Sequence, residues 1–163
     1  MFFDLNSKFD IVYDKYADML YRLAFSYLKN REDAEDVVHD VFIKYMKSFR
    51  VLSDEQHVQR WLVRVTVNCS HDVLRKKSYR NHSTLDEITE EASETDDAAG
   101  SLMESVSQLP EKYRIAVMLH YFEGYSVEET AKILHKSESA VKMRLSRGRE
   151  LLKKILEQEG TYV

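Results

Sequence analysis

Four glycines and one proline are spread over 163 residues, and this scarcity of chain-turning residues constrains the fold more than any other feature. A β-sandwich or barrel needs a Gly-, Pro- or Asn-rich turn roughly every 8 to 12 residues. The chain cannot supply them, so an all-α protein is expected. Its length suits one ordinary domain or two small ones and is too short for a large α/β enzyme with its own cofactor domain. A single cysteine, Cys69, rules out an intramolecular disulfide and a Cys-based zinc finger. The opening MFFDLNSK has no apolar core of signal-peptide length. No uncharged apolar stretch approaches the roughly 20 residues that span a bilayer. A cytoplasmic protein without membrane insertion is expected.

The net charge of −4, taken whole, argues against a nucleic-acid partner. Counted by segment, it reverses. Residues 1–80 carry 14 Lys/Arg against 12 Asp/Glu, residues 81–104 carry none against 8, and residues 105–163 carry 10 against 8. All of the acidity lies in the middle, where NHSTLDEITEEASETDDAAGS has no aromatic residue and little to bury. That is the composition of a linker. Two small helical domains, 1–80 and 105–163, are expected on either side of an acidic linker, 81–104. Each flank concentrates its positive charge: residues 60–80 hold six basic groups against Asp72, and residues 142–154 hold six against Glu150.

In the first domain, Phe9, Val12, Tyr13, Tyr16, Leu20, Leu23, Tyr27 and Leu28 recur at helical spacing, predicting a helix from about Ser7 to Lys29. Asn30 fits the N-cap of a second helix, with Glu32, Asp33, Glu35 and Asp36 where the helix dipole favours negative charge. That helix runs to about Phe49. Its stripe of Ala34, Val38, Val41, Phe42, Tyr45 and Phe49 turns inward, leaving Glu35, Asp36, His39, Asp40 and Ile43 on the outer side. Ser53 with Gln56 makes a capping box for a third helix through VQRWLVRVTVNCSHDVLRKKS. Its apolar stripe is Trp61, Leu62, Val65, Cys69, Val73 and Leu74. Arg60, Arg64, Asn68, His71 and Arg75 recur at steps of three and four, one row on one face. Such a row suits a phosphate backbone and base edges, because Lys and Arg displace counterions and Asn pairs bidentately with adenine. A solvated helix face is the alternative.

In the second domain, Pro110 fits the first turn of a helix ending near Gly124. Ser126 with Glu129 is a capping box for the short helix VEETAKIL, and Ser137 caps ESAVKMRLSRGRELLKKIL. Two helices across a three-residue turn form a helix-turn-helix. On the second of them Val141, Leu145, Gly148, Leu152 and Ile155 share a buried stripe, so Ser139, Lys142, Met143, Ser146, Arg149 and Lys153 face outward. The face matches a recognition helix whose first residues enter the major groove while later Lys and Arg hold phosphates. Simple packing of a helix pair is the alternative.

Three ordered blocks then resemble one family. They are FDIVYDKYADMLYRLAFSYLKNREDAEDVVHDVFIKYMKSF, VQRWLVRVTVNCSHDVLRKK, and LPEKYRIAVMLHYFEGYSVEETAKILHKSESAVKMRLSRGRELLKK. Together they look like the extracytoplasmic-function class of bacterial RNA polymerase sigma factors. The resemblance covers nearly the whole chain apart from the linker and termini. It implies two helical domains, region two and region four, that dock on core polymerase and read the −10 and −35 promoter elements, helping to melt the former. By that resemblance, Glu35, Asp36, His39 and Asp40 contact the clamp helices of the largest polymerase subunit. Many members have Gln where this chain has His39. The loop from Arg50 to Val58 matches the segment that captures an unstacked base of the −10 element, and Arg60, Arg64, Asn68, His71, Arg75, Lys76 and Lys77 match the part that holds the strand. Trp61 is expected in the core rather than as a stacking platform. Ser139, Lys142, Met143, Arg144, Ser146, Arg147 and Arg149 fall where the family reads the −35 duplex. An anti-sigma partner is also implied.

No catalytic pattern accompanies these features. The six histidines form no HExxH or Cys-x-x-Cys companion pattern, no Gly-rich phosphate loop is present, and the carboxylate clusters sit at helix starts where capping explains them. No enzyme, metal site or cofactor is expected. Two other readings remain at this stage: a stand-alone regulator using the helix-turn-helix, and a pure interaction protein whose basic faces are ordinary surface.

Overall fold

The computed structural model describes residues 2–48, 52, 54–80 and 98–160. It is all-α, with no strand among the described residues. The chain divides into two compact units, Met1–Glu91 and Ala92–Val163.

The first unit is built from α1 (Phe2–Leu28), α2 (Arg31–Ser48) and α3 (Glu55–Arg80), each packed on the other two. α1 begins earlier than the periodicity predicts, before Ser7. It ends where Lys29 adopts a left-handed conformation, φ +50°. Asn30 then caps α2 as expected, its Oδ1 accepting from the Asp33 amide at 3.0 Å. The expected Ser53–Gln56 box lies partly outside the described residues, since Ser53, like Phe49, is not among them. Asp54 is the cap, its carboxylate accepting from the His57 amide at 2.7 Å. A carboxylate one residue nearer the helix reaches the orphan amide directly and complements the dipole.

Leu20, Leu23, Ala24, Val37, Val41, Leu62, Val63 and Val67 fill the core between the three helices. Burial of each large aliphatic side chain stabilises the unit by about 1.5–3 kcal/mol. α3 faces both α1 and α2, so its buried seam is broader than one stripe. Val63, Thr66, Val67 and Ser70 join Leu62 and Cys69 inside, whereas Trp61, Val65, Val73 and Leu74 are half-buried. Trp61 lies beside Tyr45 (ring centroids 6.3 Å), at the edge of the core rather than in it. Burial pushes the Tyr45 phenol above its ordinary value, and neighbouring Tyr16 adds to this. Polar links tie the helices as well. Glu55 of α3 accepts from Tyr16 at 3.3 Å and pairs with Lys15, Lys44 of α2 reaches the Cys69 sulfur at 3.4 Å, and Lys77 of α3 pairs with Asp33 of α2.

The second unit comprises α4 (Ala98–Ser107), α5 (Glu111–Val117) with a π-helical turn (Met118–Phe122), α6 (Val127–Leu134) and α7 (Glu138–Gln158). α4 starts inside the stretch read as linker; residues 81–97 lie outside the described residues. Its last turn has apolar residues to bury, and Val106 joins Leu109, Ala116, Val117, Met118, Ala131, Val141 and Leu145 in the core. Arg114, 5% exposed, holds the α4–α5 joint by donating to the Leu109 carbonyl at 2.9 Å. Ser105 and Gln108 donate to Glu159, each at 2.8 Å, tying α4 to the end of α7. The Ser126–Glu129 capping box forms in both directions. Pro110 occupies the N-cap of α5 rather than its first turn.

Candidate nucleic-acid interface

α3 presents the predicted row. Arg60, Arg64, Asn68, His71 and Arg75 are all exposed on it, with Lys76 beside them. Their placement follows from the apolar seam: each step of three or four that buries Leu62, Thr66 and Cys69 leaves the opposite face to polar residues. Within the row the residues differ in freedom. Arg75 lies 3.6 Å from Asp72, a surface pair worth little in high dielectric. His71 packs edge-on against buried Tyr27, ring centroids 5.0 Å apart. Lys77 stands apart from the rest, since its ammonium is committed to Asp33 of α2 and holds the distal end of α3 on that helix. Sequence spacing cannot reveal that pairing because it is tertiary. Of the Arg50–Val58 loop, Arg50, Val51 and Ser53 lie outside the described residues.

α7 is positioned by the helix-turn-helix. His135 takes the left-handed conformation (φ 54°, ψ 44°) that closes α6, and the Ser137 hydroxyl then accepts from the Ala140 amide at 3.1 Å to open α7. Val141, Leu145 and Gly148 are buried, with Leu152 and Ile155 half-buried, as their spacing predicts. Ser139, Lys142, Met143, Ser146, Arg147, Arg149 and Lys153 are exposed, whereas Arg144 is half-buried on the flank of the stripe. Arg149 donates to the Tyr121 hydroxyl at 2.6 Å, which draws it toward the π-helical turn.

The expectations omit Tyr113. This residue stands on α5 where that helix crosses α7 at Gly148; a Cβ placed on Gly148 would lie 2.9 Å from the Val117 Cγ2 and 3.6 Å from the Tyr113 Cβ. The crossing leaves an open groove of about 620 Å³ lined by Tyr113, Met143, Ser146, Arg147, Glu150 and Leu151. Desolvation alone would raise the Tyr113 phenol. Hydrogen bonds and charge from Lys112 and Arg147 outweigh it and hold the phenol below its ordinary value. A glycine inside a strongly helical pattern marks close approach of another element, and that is the signal from which this wall of the groove can be anticipated.

On α2, Glu35, Asp36, His39 and Asp40 form an exposed, largely acidic face, continued by the partly exposed apolar side chains of Ile43 and Met46. Glu35 is bridged by Arg31 at 3.0 Å. Among the described residues no cluster of His, Cys, Asp and Glu is arranged to hold a metal ion, and no helix is long and apolar enough to cross a membrane.

The geometry defines a two-module, all-α protein with a basic helix row in one module and a cationic helix-turn-helix in the other. The sigma-70 region 2 family model matches residues 12–80, and the sigma-70 region 4 family model matches residues 99–152. The chain is 32% identical over 142 residues to the RNA polymerase sigma factor SigV of Bacillus subtilis, spanning 85% of each chain. It is 29% identical over 164 residues to the ECF sigma factor SigW of the same organism, covering 90% of this chain and 87% of that one. Among solved structures, the fold is similar to the sigma factor RpoE in its complex with the anti-sigma factor NepR from Bartonella quintana. There the TM-score is 0.77 and the identity 20%, over 92% of this chain and 97% of that one. The chain belongs to the extracytoplasmic-function class of bacterial RNA polymerase sigma factors, transcription initiation factors that bind core RNA polymerase and direct it to specific promoters.

Proposed function

We propose a division of labour between the two units at residue level. In the first, Arg60, Arg64, Asn68, His71, Arg75 and Lys76 on α3 grip the −10 strand as it melts, with Lys77 bracing that helix through Asp33. The outer face of α2, Glu35, Asp36, His39 and Asp40, docks on the clamp helices of the largest polymerase subunit. In the second, Ser139, Lys142, Met143, Ser146 and Arg147 on α7 read the −35 duplex. Arg144 and Arg149, drawn to the flanks, contribute phosphate contacts. Residues 81–97 link the two readers, and the protein acts in the cytoplasm.

The observation that carries this reading is the presence in each unit of one exposed basic helix face, so that opposite ends of one chain offer two separate polyanion contacts. Each phosphate neutralised releases counterions, and a good bidentate base contact adds about 1–3 kcal/mol of discrimination. The RpoE–NepR complex pairs a sigma factor with an anti-sigma factor. By extension, an inhibitor protein covers these faces in this chain until a signal releases them.

Reconstitution with core polymerase tests the reading. Arg64, Arg75 and Lys76 replaced together by Ala retain co-migration with core on gel filtration, while open-complex formation, read by permanganate reactivity of unpaired thymines, falls roughly tenfold or more. Open complexes at the wild-type level would return the row to ordinary surface. Failure of the wild-type chain to join core, together with tight operator binding alone, would favour a stand-alone regulator.

A further inference from the structure

We propose that the groove where α5 crosses α7 seats one backbone phosphodiester of the −35 DNA, held by Lys112, Tyr113 and Arg147. This rests on the reading in which α7 enters the −35 major groove and assigns a contact outside the helix-turn-helix itself.

Three observations converge. Met143, Ser146 and Arg147, on the exposed face of α7, also line the groove, and Tyr113 supplies its opposite wall. A strand that follows the α7 face therefore passes Tyr113. At about 620 Å³ the groove is wide and accepts a stretch of sugar-phosphate rather than enclosing a small ion. The position of Tyr113 relative to α7 is fixed, because the crossing at Gly148 leaves no room even for a methyl group without displacing Val117.

The chemistry of the phenol selects its ligand. Arg147 lines the groove with Tyr113, the Lys112 ammonium lies 4.9 Å from the Tyr113 ring centroid, and the two cations together hold the phenol below its ordinary value. A hydroxyl beside two cations keeps its oxygen toward them and its proton away, where it can donate to an acceptor. The lowered phenol pKa has the same origin and makes the hydroxyl a stronger donor. A non-bridging phosphate oxygen is the acceptor that two neighbouring cations also favour. Glu150 is the acidic member of the lining. Set against Lys112 and Arg147, it leaves one net positive charge, which matches the single charge of a phosphodiester better than a multiply charged free anion.

The test uses the holoenzyme and promoter duplexes in which single −35 phosphates are replaced, one at a time, by neutral methylphosphonates. Tyr113→Phe keeps the ring and removes the hydroxyl. It is expected to weaken promoter binding about three- to tenfold, equally on promoters with altered −35 base pairs, with an unchanged thermal melt. One methylphosphonate position is expected to weaken the wild type while costing Tyr113→Phe much less. Wild-type affinity in Tyr113→Phe, or equal losses in both proteins at every position, would overturn the proposal. So would inorganic phosphate competing at constant ionic strength in a Tyr113-dependent way, since that marks a free-anion site. Lys142→Ala and Ser146→Ala separate this outcome from the parent reading. If they alter −35 base preference while Tyr113→Phe changes nothing, only the phosphate seat fails. If they too leave binding and preference unchanged, the assignment of α7 to the −35 element fails.

Discussion

The two helices proposed to contact DNA are secured with different emphases. α3 is held by polar ties along its length, from Glu55 to Tyr16, from Cys69 to Lys44 and from Lys77 to Asp33, with a broad seam that mixes Thr66 and Ser70 among the aliphatics. α7, tied at its end by Ser105 and Gln108 to Glu159, is set chiefly by shape: the short helix α6 turns the chain into it, Ser137 caps it, and a glycine lets α5 press against its backbone. On the proposed assignment, a grip on melting DNA tolerates adjustable contacts, whereas reading a rigid duplex needs the helix fixed in depth and rotation. The contrast implies that packing errors damage the second unit most and charge errors the first.

Gly148→Leu is the most severe way to test that contrast. Overpacking at the crossing is expected to cost the second unit about 3 kcal/mol or more, while the first unit keeps its own melting transition. Equal loss in both transitions on calorimetry would break the comparison. Asp33→Ala removes the partner of Lys77 and a favourable first-turn charge. The pair is partly exposed, so the expected cost is about 1–2 kcal/mol, confined to the first unit in urea unfolding. A neutral outcome would mean that the tie contributes nothing to holding α3.

The caps sharpen the comparison by being alike. Asn30→Ala and Ser137→Ala are each expected to cost about 1 kcal/mol, one in each unit, because each removes one side-chain acceptor from an orphan amide. The smallest effect is spectroscopic. As pH rises, Tyr113, whose phenol is lowered, should ionise ahead of Tyr45, whose phenol is raised. Difference absorbance that shows no early component removed by Tyr113→Phe would contradict the first assignment.

Much of this was legible in the residues because the information is local. Asn30, Ser126 and Ser137 announce helix starts by capping chemistry that needs no tertiary context, and the spacing of Val141, Leu145 and Gly148 assigns the faces of α7 unaided. The cap of α3 was less legible: Asp54, next to the Ser53 expected there, supplies an acceptor to the His57 amide. α4 was hidden by composition, since its apolar turn follows directly on an acidic run. The commitments of Lys77 to Asp33 and Arg149 to Tyr121 join residues far apart in sequence, so the rows predicted from periodicity contain members whose charge is already engaged. Tyr113 was missed because a half-buried tyrosine on a core helix looks like packing until its neighbour across the crossing is known.

The left-handed backbone at Lys29 and His135 has a further consequence, for how these sequences can drift. A side chain held in that conformation costs roughly 1–2 kcal/mol. Glycine removes the cost but loses about 0.5–1 kcal/mol through greater freedom of the unfolded chain. The two nearly cancel, so both hinges are almost indifferent between glycine and a straight-chain or polar residue. A β-branched residue there would suffer the steric penalty without compensation. Variation at these two joints is therefore expected to exclude Val, Ile and Thr while passing freely through Gly, Asn, Lys and His.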